Sequence, residues 1–338
     1  MNHSVGDGSG RNSGQDDSPG LSWSRTVARE MVHRSSVAEV LLTDVRPDGT
    51  GGFEAAACWP RSHATFPRDG SDLHSPLLVV ETLRQLGIYL PLRYFGVAPT
   101  AHLLIGDLYF ALAPDREPRV GHGGTEVTCA IAVRKVRRDA DGAVTGLRLD
   151  VRYACAGTDF ARAGGGARFV DPDGYRAVRN RYDDDAERAD PARLPAPGRA
   201  PDPAANPAAN RASRPAPDGR PEPSALAVTG HGDVVIARRH GGLAIEPADP
   251  RHPFFFDHAS DHVPGMVLLE AARQAAAEAS GGALLRPVSG RLVATRFTEH
   301  APAARIEPVP HHRTCVFRVR QGPACTAYGV LGYGRHAV

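Results

Sequence analysis

The chain carries two copies of one short sequence pattern, and this internal repeat restricts its fold more than any other feature. The first copy lies in residues 59–87 and the second in residues 249–276. Both read His-x-Pro, then a short apolar run, then Glu-x-x-Arg-Gln. With 338 residues, the chain is long enough for two domains. The repeat therefore predicts two related units, each built around one copy of the pattern.

Each copy predicts a buried helix. Residues 77–86 and 266–275 are apolar on nearly every side, so solvent cannot surround these helices. The Glu, Arg and Gln of each copy are spaced i, i+3 and i+4, which places them on one side of the helix. The matching positions, with one residue of difference before the glutamate, are His74, Pro76, Glu81, Arg84 and Gln85 in the first copy and His262, Pro264, Glu270, Arg273 and Gln274 in the second.

Strand-like segments surround both helices. They alternate apolar and polar residues or form short apolar runs, and they lie at 37–45, 101–112, 125–138 and 147–156 in the first half and at 233–239, 290–300 and 314–321 in the second. One long apolar helix among several antiparallel strands indicates an α+β unit in which a curved sheet wraps the helix. Two such units can pair edge to edge and form one continuous sheet.

Composition divides the chain into four segments. Residues 1–22 are rich in Gly, Ser, Asn and Asp and predict a disordered tail. Residues 183–224 contain little except Pro, Ala, Arg, Asp and Asn, so we predict a solvated linker there. Residues 23–182 and 225–338 are then the two folded units.

The charge balance argues against a polyanionic partner. The 40 basic and 38 acidic side chains give a formal net charge of +2, so neither nucleic acid nor a membrane is an expected partner. The sequence has no bilayer-spanning apolar run and no evident signal peptide, so we expect a soluble, cytoplasmic protein. Lys135 is the only lysine, which disfavours Schiff-base chemistry and leaves arginine to bind anionic groups.

Several stretches carry a resemblance to known families. Residues 254–275 resemble the hotdog-fold 3-hydroxyacyl-carrier-protein dehydratases, with a similar Phe-Phe-x-x-His, a Pro-Gly pair and a glutamate on the central helix. The duplicated arrangement resembles the A-factor biosynthesis (AfsA-like) family more closely, through VHRSSVAEVLLTD (32–44), WPRSH (59–63), HSPLLVVETLRQLGIYL (74–90) and the 249–275 block.

The resemblance implies both a fold and an activity. The fold is a tandem (double) hotdog, with two antiparallel sheets that each wrap a central apolar helix. The activity is an acyltransferase that joins a β-ketoacyl group to the hydroxyl of dihydroxyacetone phosphate. The product leads to a γ-butyrolactone-type, butenolide or furan signalling molecule.

The dehydratase pattern implies roles for two residues of the second copy. His258 takes the place of the catalytic histidine and Glu270 that of the catalytic carboxylate, although the loop between them is two residues shorter than in the dehydratases. In the first copy, Gly70 stands near the position of a second such histidine, so one of two pseudo-equivalent sites lacks that group. Because hotdog dimers build each site from both units, we expect His258 to face Glu81.

The implied reaction needs a base for the acceptor hydroxyl, donors for the oxyanion and a cation for the phosphate. We assign the base to Glu81 or Glu270, with His258 as a proton-relay partner. Phosphate binding falls to Arg84 or Arg273. Further candidates for substrate binding are Gln85, Gln274, His74, His262 and Gly265.

The second pseudo-equivalent site is expected to bring Glu270 and Arg273 opposite His63 or His74. Oxyanion donors are backbone N–H groups at the two helix starts, near Pro76-Leu77 and Pro264-Gly265. The substrates are an acyl-carrier protein or another acyl thioester and dihydroxyacetone phosphate. No metal or organic cofactor is needed.

Other interpretations remain open at this point. A hotdog dehydratase or thioesterase would use His258 and Glu270 on a similar thioester. A non-catalytic module would bind an acyl ligand, and the repeated Glu-Arg pairs would then be buried ion pairs that stabilise the helices. His258 and His262 lack a third ligand of suitable spacing, which disfavours a metal site. The basic residues Arg29, His33 and Arg34 indicate either a solvated strand end or an anion site.

Overall fold

The computed structural model describes most of the chain, in the ranges 20–61, 63, 72–188 and 219–334. Gly70 and most of the predicted tail and linker lie outside these ranges. Within them, no helix is long and apolar enough to cross a membrane.

The first unit wraps a long helix in six strands. Its elements in chain order are β1 (Leu42–Pro47), β2 (Phe53–Trp59), α1 (Leu77–Tyr94), β3 (His102–Leu112), β4 (Thr125–Arg138), β5 (Val144–Cys155) and β6 (Thr158–Val170). A further helix, α2 (Pro172–Arg188), follows β6.

The second unit repeats this order with shorter strands. Its elements are β7 (Ile236–Arg239), β8 (Gly242–Ile245), α3 (Gly265–Ala279), β9 (Pro287–Ala294), β10 (Arg305–His311), β11 (Thr314–Gln321) and β12 (Ala324–Tyr333). Both helices predicted from the repeat are present.

The strands of both units form one antiparallel sheet of 12 strands, in the order β1-β2-β4-β5-β6-β3-β9-β12-β11-β10-β8-β7. The order of the second half mirrors that of the first about the β3–β9 pair, as expected for two copies related by a pseudo-twofold axis. The two predicted sheets are therefore continuous, as edge-to-edge pairing of two such units requires.

The seam between the units is short. β3 pairs with β9 over Asp107–Ala111, opposite residues 289–293, although β3 already starts at His102. Residues 102–105 of β3 pair with β6 on one side, and no strand pairing with β9 is found there in the described part of the chain. The sheet is therefore open beside the first residues of β3.

The inner face of the sheet holds the two helices. Leu86 of α1 is fully buried, as are Trp59 of β2 and Tyr153 of β5. The Trp59 indole donates a hydrogen bond to the Thr82 hydroxyl at 3.0 Å, and the Tyr153 hydroxyl donates to the Val79 carbonyl at 3.1 Å. Because these polar atoms are paired, burial of the aromatic rings carries no unpaired polar group with it.

The strand predicted at 37–45 starts later than the sequence indicates. Val37–Glu39 form a short 3₁₀ turn, and the strand begins only at Leu42. The cause is local, because the Ser36 hydroxyl accepts a hydrogen bond from the Ala38 amide at 3.2 Å and caps the turn.

The sequence did not predict α2. Pro172 occupies its first turn, and the Asp171 carboxylate accepts a hydrogen bond from the Gly174 amide at 2.6 Å. The helix continues to Arg188, so position 183, from which the composition predicts a linker, falls inside it.

Shortening the segment 189–218 tests whether this part of the chain is a linker. Removing about half of it is expected to change the free energy of unfolding by less than about 1 kcal/mol, since loop-closure entropy varies with the logarithm of length. Thermal denaturation of the full and shortened chains measures this change. A loss above about 2 kcal/mol would show that the segment packs against the folded units.

Candidate active site

A cavity of about 870 Å³ lies between α1, the open part of the seam and the loop that precedes α3. Apolar side chains of α1, β3 and β5 form much of its wall, among them Leu83, Leu108 and Leu149. Several basic side chains also line it, among them His33, Arg84 and His258. The cavity is thus built from both units, with an apolar interior and a basic group.

The α1 carboxylate lies beneath the basic group. Glu81 is 1 % exposed, and its two oxygens accept hydrogen bonds from Arg84 Nε at 2.8 Å and Nη2 at 2.9 Å. Arg34 Nη2 lies 2.8 Å from the same carboxylate, and the Gln85 amide donates to it at 2.7 Å. Glu81 therefore binds two guanidinium groups at once.

These contacts set the protonation state of Glu81. Burial alone raises the pKa of a carboxyl group, but Arg84, and then Arg34, outweigh burial and lower the pKa of Glu81 to about 2. A carboxylate with such a pKa is a weak base. The carboxylate is the shared hydrogen-bond acceptor of the two arginines.

Arg34 corrects an interpretation from the sequence. It is 6 % exposed rather than at a solvated strand end. Its Nε donates to Glu81, and its Nη1 donates to the Phe254 carbonyl at 2.8 Å. The guanidinium carbon also lies 4.9 Å from the centre of the Phe254 ring. Arg34 thus joins α1 to the loop of the second unit.

The same loop is fixed by a second contact and carries His258. The Asp257 carboxylate accepts hydrogen bonds from the amides of Ser35 at 2.5 Å and Ser36 at 3.1 Å. Since His258 is the next residue, these bonds hold its backbone close to the first unit.

Two histidines of the cavity, His258 and His33, have lowered pKa values, which favours their neutral forms. Burial lowers the pKa of His258 below 6.5, as do the positive charges of Arg84 and Arg34. Burial likewise lowers the pKa of His33, followed by Arg84, His258 and His102. The loop of the second unit carries His258 to the same cavity that Arg84 of α1 lines.

The second repeat uses the same residues differently. Arg273 Nη2 donates to Glu270 Oε1 at 2.6 Å, but its Nη1 donates to the carbonyls of Leu226 at 2.7 Å and Leu285 at 3.2 Å. Among the described residues, Glu270 and Arg273 are absent from the lining of the cavity, whereas Arg84 is part of it. The equivalent ion pair in α3 is thus enclosed by backbone.

Both glutamines bind backbone as well as their own glutamates. Gln85 donates to the Glu39 carbonyl at 2.8 Å and accepts from the Leu41 amide at 2.9 Å. Gln274 donates to the Asp233 carbonyl at 2.8 Å and accepts from the Val235 amide at 2.9 Å. These contacts attach each helix to the chain that leads into its first strand. Neither glutamine lines the cavity among the described residues.

His63 and His74, the histidines expected opposite Glu270 and Arg273, have other partners in the structure. His74 is buried, pairs with the Thr125 hydroxyl at 2.8 Å, and packs against the Trp59 ring at 5.4 Å. His63 pairs with Glu39 at 2.9 Å and contacts the Phe254 ring at 5.6 Å. These contacts place His63 beside the loop that leads to His258.

The remaining candidates, His262 and Gly265, both line the cavity. His262 Nδ1 lies 2.7 Å from the Asp261 carboxylate. Gly265 is the first residue of α3, and a Cβ atom added there would meet nothing within 4 Å. In the part of the chain that the structure describes, no group of three or more His, Cys, Asp or Glu residues is placed to bind a metal ion.

The helix α2 supplies cavity residues that the sequence reasoning missed. Tyr175 stacks on the His102 ring at 4.0 Å, and its hydroxyl donates to Asp261 at 2.8 Å. Arg179 makes two hydrogen bonds to Glu299, at 2.8 and 3.0 Å. The helix therefore contacts both units beside the open seam. Pro172 after Asp171 was the available sequence signal, since proline is favoured in the first helical turn.

The fold and the cavity together define the class of this protein. It is a double hotdog protein, in which two related units share one sheet and build a common cavity from the helix of one unit and a loop of the other. The chain belongs to the A-factor biosynthesis hotdog domain family, whose model matches residues 16–171 and 233–297. The resemblance and the tandem hotdog fold inferred from the sequence are thereby confirmed.

Three relatives carry the name 2-oxo-3-(phosphooxy)propyl 3-oxoalkanoate synthase. The protein of Streptomyces virginiae is 33% identical over 279 residues, covering 81% of this chain and 84% of the relative. That of Streptomyces griseus is 30% identical over 303 residues, covering 87% of this chain and 90% of the relative. That of Streptomyces coelicolor is 31% identical over 279 residues, covering 81% and 78%.

Proposed function

We propose that this chain transfers a β-ketoacyl group from a thioester to the hydroxyl of dihydroxyacetone phosphate. The ester formed is a 2-oxo-3-(phosphooxy)propyl 3-oxoalkanoate, the compound in the names of its relatives. The observation that carries the proposal is the composite cavity, where apolar walls meet a histidine and a buried arginine pair. We infer an acyl-carrier protein as the donor of the thioester.

We assign the base to His258. A neutral imidazole accepts a proton, and the lowered pKa of His258 keeps it neutral at physiological pH. The hydroxyl oxygen attacks the thioester carbon while His258 takes the hydroxyl proton. When the carbon–sulfur bond breaks, the protonated imidazole returns that proton to the leaving thiolate, so the histidine is regenerated.

Glu81 receives a positioning role in place of the base role. Its oxygens already accept hydrogen bonds from Arg34, Arg84 and Gln85, and its pKa of about 2 makes it a poor proton acceptor. It holds Arg84 at the cavity wall. For Glu270, which lies with Arg273 away from the cavity lining, we propose a structural role of the same kind.

The oxyanion of the tetrahedral intermediate requires hydrogen-bond donors. The first amides of a helix have no intrahelical partner and carry the positive end of its dipole. Gly265 and Met266 begin α3 and line the cavity. Because a Cβ at Gly265 would occupy open space, its absence lets a substrate carbonyl approach the backbone.

Replacing Arg84 by alanine tests the assignment of the acceptor phosphate to this residue. We expect the apparent KM for dihydroxyacetone phosphate to rise by an amount equivalent to about 2 to 3 kcal/mol, as for a charge-assisted hydrogen bond, with little change for dihydroxyacetone. Arg84→Lys should restore little, because an ammonium group cannot form a bidentate pair. The measurement is the ratio of the rates with dihydroxyacetone phosphate and with dihydroxyacetone, each at a saturating concentration of thioester.

Arg273→Ala is the matched control, since it removes the equivalent residue of the second repeat. It is expected to keep the wild-type ratio. An unchanged ratio in Arg84→Ala would show that another group binds the phosphate.

Mass spectrometry of the products tests the reaction itself. With a β-ketoacyl thioester and dihydroxyacetone phosphate, we expect the phosphorylated ester and one equivalent of free thiol. Without the acceptor, thiol release should be slow. Equal thiol release in both cases would identify a thioesterase, and an unsaturated acyl product from a 3-hydroxyacyl thioester would identify a dehydratase.

A further inference from the structure

A second, smaller pocket lies on the outer face of the sheet, where β3, β4, β5 and β6 meet. Its volume is about 140 Å³. Leu147 and Leu149 of β5 are buried on the inner face, so Arg148 between them points to the outer face, because side chains alternate along a strand. Arg148 lines this pocket, which places the pocket opposite α1.

The outer pocket has an excess of positive charge. Its charged lining residues are Asp107, Lys135, Arg137, Arg148 and Arg168. Arg148 is neutralised by Asp107, through two hydrogen bonds of 2.8 and 2.9 Å. For the side chains of Lys135, Arg137 and Arg168, no hydrogen bond or ion pair is found among the described residues. Three cations thus border one small pocket with no counter-charge from the part of the chain that the structure describes.

Gly166 lets an ion pair pack directly on the sheet backbone beside the pocket. A Cβ atom there would lie 3.2 Å from Arg148 Nη1 and 3.4 Å from Asp107 Oδ1, so a side chain would press on the Arg148–Asp107 pair. Gly106 also lines the pocket.

The outer pocket adjoins the main cavity. Gly106, Gly166 and Arg168 line both. They lie on β3 and β6 beside the part of β3 that leaves β9, where the seam is open. The two pockets therefore share part of their lining at this edge of the first unit.

We propose that the outer pocket binds a phosphate group of a substrate whose reacting part lies in the main cavity. Tetrahedral phosphate oxygens suit a cluster of arginine and lysine donors, and the small volume excludes an acyl chain. The proposal rests on the proposed function, which supplies two phosphate-bearing substrates. Because Arg84 is already assigned to the acceptor, we expect the donor phosphate here, as found in a phosphopantetheine arm.

The test compares a thioester whose carrier bears phosphate with a truncated thioester that carries none. The variant Lys135→Ala/Arg137→Ala/Arg168→Ala is assayed with a β-ketoacyl-coenzyme A and with the N-acetylcysteamine thioester of the same acid. We expect kcat/KM to fall by about 10- to 100-fold for the coenzyme A thioester and to change little for the truncated one. Arg152→Ala, an exposed arginine paired with Asp159 on β6, is the control and should change neither.

A parallel arm uses dihydroxyacetone phosphate and dihydroxyacetone with the truncated thioester. Selective loss for the phosphorylated acceptor would support the pocket as a phosphate site and move the Arg84 assignment there. Equal losses for phosphorylated and unphosphorylated partners, or no loss, would overturn the proposal.

Calorimetry with coenzyme A separates this proposal from the proposed function, because binding requires no turnover. Wild type should bind coenzyme A with an affinity that falls with ionic strength, and the triple variant should bind about 10- to 100-fold more weakly. Equal binding by both proteins contradicts the pocket even if the acyl transfer is confirmed. Weaker binding of coenzyme A by the triple variant supports the outer pocket even if the protein forms a product other than the proposed ester.

Discussion

Replacing His258 by alanine is expected to lower kcat by about 10²- to 10⁴-fold, the usual contribution of a positioned general base. Stability should change little, because this side chain lines the cavity and lies outside the core. The measurement is steady-state turnover with saturating thioester and acceptor, together with circular dichroism melts of both proteins. His311→Ala, an exposed position at the end of β10, serves as the control.

The pH profile supplies an independent readout. Because the base must be neutral, kcat should rise with pH and level off above the pKa of His258, which lies below 6.5. The acid limb of the profile should therefore lie below pH 6.5. If His33→Ala abolished turnover and His258→Ala did not, the base would be His33.

Replacing Glu81 by glutamine is expected to destabilise the protein by about 3 to 5 kcal/mol, because it leaves two buried arginines without their shared counter-charge. It should also lower kcat/KM, since Arg84 loses the partner that orients it. Urea denaturation and steady-state kinetics measure the two effects.

Glu270→Gln is the matched variant, because within the described ranges Glu270 pairs with one arginine and Glu81 with two. A smaller loss of stability and nearly unchanged kinetics are expected. Equal loss of activity in both variants would place α3 in the active site.

Acid also tests Glu81. Its pKa falls from 4.5 to about 2 on folding, so its ion pairs stabilise the protein fully above pH 4.5, and this contribution is lost as the pH falls toward 2. The difference corresponds to a contribution on the order of 3 kcal/mol. Wild type should lose stability across that range, whereas Glu81→Gln should lose less.

The repeat predicted much of the fold because burial follows periodicity. A helix that is apolar on every face must be covered by protein on every face, and a sheet that wraps the helix provides this cover. The i, i+3, i+4 spacing also brought Glu81, Arg84 and Gln85 into contact. These are local consequences of helical geometry, so a single sequence reveals them.

The difference between the two copies could not be predicted in this way. Arg84 and Arg273 occupy the same position of the same motif, but distant segments decide what lies beyond them. Carbonyls of Leu226 and Leu285 enclose Arg273, whereas Arg84 borders a cavity that a loop of the other unit completes. Arg34 joins Glu81 from 47 residues away. The spacing of residues within one helix carries no information about contacts between segments so far apart in the sequence.

The β3–β9 seam has a consequence for how the protein behaves on dilution. Its ladder spans only Asp107–Ala111, and contacts of Arg34 and α2 with the second unit supplement it. Here both partners belong to one polypeptide, so their effective concentration is fixed by the chain and does not depend on how much protein is present. Specific activity should therefore stay constant down to nanomolar enzyme, whereas the assembly of two free chains into one site would depend on their concentration.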